Sequence, residues 1–91
     1  MNNNTIPTTK ISNNGTAKVS ASSGTLIYIT AVSNAHSSAT TLTFADDADL
    51  AVLEAPVGSI TLNPPIMCSS FTPSNAAMSI VYYEAKPPYF A

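Results

Sequence analysis

Apolar residues recur at every second position through most of the chain, and this period of two is the feature that most limits its fold. The clearest run is TLIYITAVS (25–33), which is rich in β-branched and aromatic residues. Such alternation is typical of β-strands, whereas helices place apolar residues three and four positions apart. No window shows the helical spacing over three turns without an intervening proline or glycine. The sequence therefore predicts an all-β protein.

Short strands and turn signals alternate along the chain. NPP (63–65) predicts a break because proline cannot donate to a β-ladder, and TPSN (72–75) predicts a turn. Residues 45–55 also admit a helical interpretation, but the neighbouring strands and the short spacing favour a strand. Seven short strands at this spacing indicate a small antiparallel β-sandwich or a jelly-roll-like barrel. The predicted strands are 17–21, 25–33, 40–44, 50–54, 59–62, 66–71 and 77–84.

Three regions are predicted. Residues 1–16 contain isolated apolar residues among Asn, Ser and Thr, and are interpreted as an extended N-terminal arm. Residues 17–85 form the β-domain, and residues 86–91 (KPPYFA) form an extended C-terminal tail. Strand alternation predicts a core of Leu26, Tyr28, Val32, Leu42, Phe44, Val52, Ile60, Leu62, Ile80 and Tyr82.

The composition indicates a packed chain with an almost uncharged surface. It is 45% hydrophobic and 9% charged over 91 residues, with a net charge of −2. Disordered chains usually have few apolar residues and a high net charge. A domain of this size buries a modest core, so association with other protein would be a natural supplement. A surface of hydroxyl and amide groups tolerates such contact.

The same composition argues against several classes of function. The chain has three lysines and no arginine, too few cations for a nucleic-acid surface. Its longest strongly apolar run, LIYI (26–29), is far too short to span a bilayer. The N-terminus lacks the basic start and apolar stretch of a signal peptide, which predicts synthesis in a cytoplasm. A single cysteine cannot form an internal disulfide.

The stretch FADDADL (44–50) carries three of the five acidic residues: Asp46, Asp47 and Asp49. A calcium loop would supply more oxygen ligands and a glycine, and Glu54 is the only further carboxylate nearby. The cluster is interpreted as a solvated turn whose side chains cap their own backbone amides. A weak cation site is the alternative. No metal ligand is assigned.

Catalysis and cofactor binding find little support. His36 lies in the polar stretch SNAHSSA (33–39), and Cys68 lies in an apolar strand. Their spacing does not indicate a catalytic pair in which Cys68 is the nucleophile and His36 its base. Two nitrogen or sulfur ligands are too few for structural zinc. The three glycines are far apart and form no phosphate loop. We expect a non-enzymatic protein without a cofactor.

The tyrosines suggest a contact surface. Tyr82 and Tyr83 are adjacent on the final strand, so one of their rings must face away from the core. An outward tyrosine suits a subunit contact or a bound sugar. The absence of tryptophan favours the subunit contact.

Residues 24–83 resemble a pattern found in small bacteriophage virion proteins. The pattern is a succession of strand motifs, without a catalytic signature, and it covers about two thirds of the chain. This chain departs from it in lacking an Asp-Gly turn after the third strand and in its long arm and Pro-Pro tail. The segments that carry the resemblance are GTLIYITAVS (24–33), TTLTFADD (40–47), LAVLEA (50–55), GSITLNPP (58–65), IMCSSF (66–71) and MSIVYYE (78–84).

This resemblance implies a β-sandwich component of the virion, with capsid decoration (cement) as its function. The partner would be the major capsid protein, and the chain would act as a homo-oligomer, with a trimer as one arrangement. Alternatives are a neck or tail-junction component, a head-fibre component, or a carbohydrate- or host-binding module. The predicted contact residues are Ile6, Ile11, Tyr83, Tyr89 and Phe90.

Overall fold

The computed structural model describes residues 8–13, 15–44 and 51–86, and within these ranges every regular element is a β-strand. The strands follow the alternating segments of the sequence. They are β1 (Lys10–Ser12), β2 (Val19–Ser20), β3 (Leu26–Asn34), β4 (Thr40–Phe44), β5 (Val52–Ala55), β6 (Gly58–Cys68), β7 (Ser70–Pro73) and β8 (Met78–Ala85).

The strands form two antiparallel sheets. The front sheet has the order β1-β8-β3-β6, and the back sheet has the order β2-β7-β4-β5. The chain passes from the front to the back sheet between Cys68 and Ser70, with one residue between the two strands. The prediction of a small antiparallel β-sandwich is thus confirmed.

The core lies between the inner faces of the two sheets. Phe71 on the back sheet is fully buried, and its ring meets Tyr82 of the front sheet edge-to-face, with ring centroids 5.5 Å apart. Burial of each large apolar side chain favours the folded state by about 1.5–3 kcal/mol. The other buried apolar residues of the core are Ile27, Ile29, Val32, Leu42, Phe44, Ala55, Ile66, Cys68, Met78 and Ile80.

A β-bulge in β3 changes which of its side chains face inward. Ile27 and Ile29 are fully buried, yet Val32 is also buried, three positions further on. Ile29 pairs with Tyr82 of β8 and Ala31 with the next residue, Val81, so Thr30 is the extra residue of β3 relative to β8. The predicted core positions Leu26 and Tyr28 are therefore wrong, because both are only partly buried and lie on the outer face.

The rest of the predicted core is largely confirmed. Val32, Leu42, Phe44, Ile80 and Tyr82 are buried. Ile60 and Leu62 are partly buried and pack against the core. The prediction that Val52 belongs to the core is wrong, because this residue is 50% exposed. In β5 the alternation instead buries Ala55 and packs Leu53 against the core.

The proline pair does not end a strand as the sequence predicted. β6 continues from Gly58 to Cys68, but residues 62–65 stand opposite the single residue Thr30 of β3. The ladder resumes where Ile66 pairs with Ile29. Prolines cannot donate to a ladder, so the interruption of pairing falls where both occur. The turn predicted at 72–75 begins later, because β7 includes Thr72 and Pro73.

Part of the segment assigned to the arm belongs to the sandwich. Lys10–Ser12 form β1, which pairs with Tyr82, Val81 and Ile80 of β8. β1 is therefore an edge strand of the front sheet. Residues 1–7 and 87–91, which contain the remainder of the predicted arm and tail, lie outside the described residues.

Candidate interaction surface

The outer face of the front sheet carries a band of apolar and aromatic side chains. Ile11, Val81 and Ala31 occupy one cross-strand row, and Tyr83, Tyr28 and Met67 occupy the adjacent row. These positions alternate with the buried residues of the same strands, which places them on the outside. We call these six residues, together with Leu26, the tyrosine face.

A stacked pair of rings lies at the centre of this surface. Tyr28 and Tyr83 stand directly opposite each other on β3 and β8, with ring centroids 5.1 Å apart and an angle of 12° between the ring planes. Partial burial raises the pKa of the Tyr28 hydroxyl above its usual value. The two rings fix each other in place, so they form a preorganised aromatic surface.

The described outer positions of the front sheet carry no charged side chain. Their polar groups are hydroxyls, such as Ser33, Ser59, Thr61 and Ser79. The back sheet differs, because Glu54 lies on its outer face beside Thr41. Protein interfaces are depleted of charge and enriched in tyrosine and methionine, which matches the tyrosine face.

The two charged residues within the front-sheet strands lie on the inner side, near one end of the sandwich. Glu84 accepts hydrogen bonds from the Ser22 backbone N–H at 2.8 Å and from the Thr25 hydroxyl at 3.0 Å. Its other carboxylate oxygen meets the Lys10 amine at 2.9 Å. Glu84 therefore ties β1, β8 and the β2–β3 turn together.

These contacts strongly favour the ionised form of Glu84. The Ser22 N–H lowers the pKa of this carboxyl most, and partial burial opposes the effect. With further contributions from Lys10 and Thr25, the pKa falls to about 2. The same pairing raises the pKa of the Lys10 amine, chiefly through its hydrogen bond to Glu84. Both groups remain charged at neutral pH.

A glycine in the β2–β3 turn helps to hold the Ser22 N–H in position. The Thr25 N–H donates to the Ser22 carbonyl at 3.0 Å, which closes a four-residue turn. Gly24, the third residue of this turn, has φ +83°. Residues with a side chain rarely adopt this backbone conformation, so glycine is favoured at this position.

The predicted contact residues divide into two groups. Ile11 is 66% exposed on β1, and Tyr83 is partly buried within the tyrosine face. The structure brings both onto one side of the front sheet. Ile6, Tyr89 and Phe90 lie outside the described residues.

Asp46, Asp47 and Asp49 also lie outside the described residues. Among the residues that the structure does describe, no three acidic, histidine or cysteine side chains are grouped to hold a metal ion.

His36 and Cys68 lie near opposite ends of β3. Cys68 is buried beside Ile27, whereas His36 follows Asn34 at the far end. The His36 backbone N–H donates to the Asn34 Oδ1 at 2.9 Å, and its Nδ1 lies 3.1 Å from the Ser38 hydroxyl. The buried Asn34 side chain also donates to the Ala55 carbonyl at 2.9 Å, which joins the two sheets. These contacts organise a turn.

Glu84 and Lys10 were not among the residues predicted from the sequence. The sequence does contain a signal for Glu84, because it lies in phase with Met78, Ile80 and Tyr82 on β8. A single carboxylate at a core-facing position is costly unless it is paired. That placement predicts a partner, but nothing in the sequence identifies Ser22, Thr25 or Lys10.

The fold defines the chain as a small antiparallel β-sandwich protein. No family model, curated protein or solved structure that was compared with the chain is significantly similar to it. In the described part of the chain, no helix has the length and apolar character needed to cross a membrane.

Proposed function

We propose that the chain is a non-enzymatic structural protein of a bacteriophage particle, namely a capsid decoration protein that binds the assembled shell. The bacteriophage assignment rests on the strand motifs within residues 24–83. The tyrosine face is the structural observation that supports binding to another protein. It offers stacked rings and apolar side chains, without a charge to desolvate at the described outer positions.

The mechanism follows from selective binding. A protein that binds the assembled shell more tightly than the free capsid subunits shifts the equilibrium toward the shell. The tyrosine face would dock on the major capsid protein. Many copies, acting as homo-oligomers, would distribute the outward load of packaged DNA over many contacts.

The test compares charge placed on the two sheets. Tyr83→Glu introduces a carboxylate into the tyrosine face, and Thr43→Glu introduces one on the outer face of the back sheet. Each purified variant is mixed with shells of the phage that encodes the chain, and binding is measured by co-sedimentation. We expect at least a tenfold loss for Tyr83→Glu and little change for Thr43→Glu, with circular dichroism confirming that both variants fold. Equal binding by both variants would contradict docking through the tyrosine face.

The number of copies per particle distinguishes decoration from other virion roles. Quantitative mass spectrometry of purified particles should find hundreds of copies of a decoration protein. A single ring of copies would instead indicate a neck or tail-junction protein. Absence from the particle would contradict a virion role altogether.

A second candidate function is carbohydrate binding, as in a host-attachment module. The observation that favours it is the adjacent pair of tyrosine rings on the outer face of a sheet. A glycan array separates the two functions. Selective binding that is lost in Tyr28→Ala would support the carbohydrate function, whereas a decoration protein should show no sugar preference.

A further inference from the structure

The edge strand β1 combines an exposed apolar side chain with a lysine that is already paired. Ile11 is 66% exposed, and among the strands that the structure describes, β1 pairs with β8 alone. Sheet edges are often protected by lysines whose charge an incoming strand would have to desolvate. Here the Lys10 amine binds Glu84 at 2.9 Å, so part of its charge is compensated within the same subunit. This edge is less protected than its sequence suggests.

The other three edges of the sheets formed by the described strands are less suited to strand addition. β6 contains Pro64 and Pro65 where its pairing is interrupted. β2 is two residues long. β5 exposes Glu54 next to its exposed Val52, and each added copy would bring a further carboxylate. β1 is therefore the edge best suited to pairing.

We propose that β1 pairs with β1 of a second copy of this chain, antiparallel and around a two-fold axis at Ile11. The pairing would join two front sheets into a continuous eight-stranded sheet. It deepens the proposed function, because it assigns the homo-oligomeric contact to one strand. The occupant is a second copy because the described outer face of this sheet is uncharged, so it can continue into itself without like-charge repulsion.

The register follows from the faces of the strand. A two-fold axis perpendicular to the sheet keeps outer side chains beside outer side chains, so Ile11 must face an outer position of the second copy. An axis at Lys10 would place two lysines directly opposite each other, which is unfavourable. An axis at Ile11 pairs Ile11 with Ile11 and Lys10 with Ser12, and it overlaps all three residues of β1. The contact is isologous and closes as a dimer, whereas a trimer would need a different, head-to-tail contact.

The first experiment measures self-association of the full chain by sedimentation equilibrium. A short strand pair forms a small interface, so we expect a dissociation constant on the order of 10–100 µM. Ile11→Lys should weaken the dimer at least tenfold. Val52→Lys adds the same charge to the exposed edge of the back sheet and should leave the dimer unchanged. A monomer at about 1 mM, a trimer, or equal effects of both variants would overturn the proposal.

The second experiment tests the register by cross-linking. In the proposed register, two copies of Ile11→Cys place their new thiols directly opposite each other, while Asn13→Cys faces Thr9 of the second copy. We expect Ile11→Cys to form a disulfide-linked dimer on mild oxidation, and Asn13→Cys to remain mainly monomeric. Cys68 is 1% exposed in the native chain and is retained in both variants, so it provides the same background. Equal cross-linking by both variants would overturn the register.

The third experiment tests the contribution of the ion pair. Glu84→Gln removes the charge that compensates Lys10, and it should weaken the dimer several-fold at neutral pH. An unchanged dissociation constant would overturn the proposed contribution of Glu84. All three measurements use purified chain without capsids, so failure of self-association leaves shell binding independently testable. Loss of shell binding would likewise leave the dimer standing.

Discussion

The two sheets contribute similar inner faces but different outer faces. Ile27, Ile29 and Ile80 of the front sheet meet Leu42 and Phe71 of the back sheet in one shared core. On the outside, the front sheet presents stacked tyrosines and apolar side chains, whereas the back sheet presents threonines, Val52 and Glu54. The shared inner faces explain why the chain folds. The outer faces differ although folding does not require it, so the difference is where function is expected.

The largest effect is expected from a substitution in the core that the two sheets share. Phe71→Ala should destabilise the protein by about 3–5 kcal/mol, because it leaves a cavity beside Tyr82 at the centre of the core. Urea unfolding followed by far-UV and near-UV circular dichroism should give one transition, shifted to lower urea for both signals. The outward neighbour Thr72→Ala is the control, with a change of about 0.5 kcal/mol or less. Separate transitions for the two signals would contradict a single core.

A smaller effect on stability is expected when the carboxylate of Glu84 on the front sheet is compared with that of Glu54 on the back sheet. The Glu84 pKa is about 2 in the folded protein, against an ordinary value of 4.5. Because the pKa of Glu84 is lower in the folded state than in the unfolded state, its ionised form stabilises the folded protein. This contribution is fully present above pH 4.5 and is lost as the pH falls toward 2. We expect Glu84→Gln to remove about 2 kcal/mol at pH 7 and to flatten the loss of stability between pH 4.5 and 2.

The matched control is Glu54→Gln on the exposed side of the back sheet, with a change of about 0.5 kcal/mol or less at pH 7. The measurement is the free energy of urea unfolding from pH 2 to pH 7 for all three proteins. An acid transition that persists unchanged in Glu84→Gln would show that Glu84 does not anchor the end of the front sheet.

The turn that holds Glu84 provides an intermediate test. Gly24→Ala should destabilise the protein by about 1 kcal/mol, because alanine is strained at φ +83°. A Cβ atom at this position meets no atom beyond the adjacent residues within 4 Å, so any loss reports backbone strain and not a clash with another part of the protein. Ser23→Ala in the same turn is the control. Equal unfolding free energies for Gly24→Ala and Ser23→Ala would contradict the turn geometry.

Sequence periodicity was enough to predict the fold class and much of the core, but not the side of every strand. β3 is apolar on both faces, so alternation alone could not decide between Ile27 and Tyr28 as the buried residue. The bulge at Thr30 then places Ile29 and Val32 on the same side, which no fixed period of two can produce. The contact at Glu84 joins residues up to 74 positions apart. Such a contact depends on the tertiary fold, so local patterns predict that Glu84 needs a partner without identifying one.

The smallest expected effect compares one cross-strand pair on each outer face. Tyr28 pairs with Tyr83 on the front sheet, and Thr43 pairs with Val52 on the back sheet. Stacked aromatic pairs contribute about 0.5–1.5 kcal/mol beyond their area, so a double-mutant cycle with Tyr28→Leu and Tyr83→Leu should give a coupling near 0.5–1 kcal/mol. The cycle with Thr43→Ala and Val52→Ala should give about 0.3 kcal/mol or less, because one of its partners is half exposed. Both cycles are measured by urea unfolding at a chain concentration low enough to exclude dimers. Equal coupling energies in the two cycles would mean that the tyrosine pair is no more ordered than an ordinary surface pair. That result would contradict a tyrosine face that is preorganised for binding.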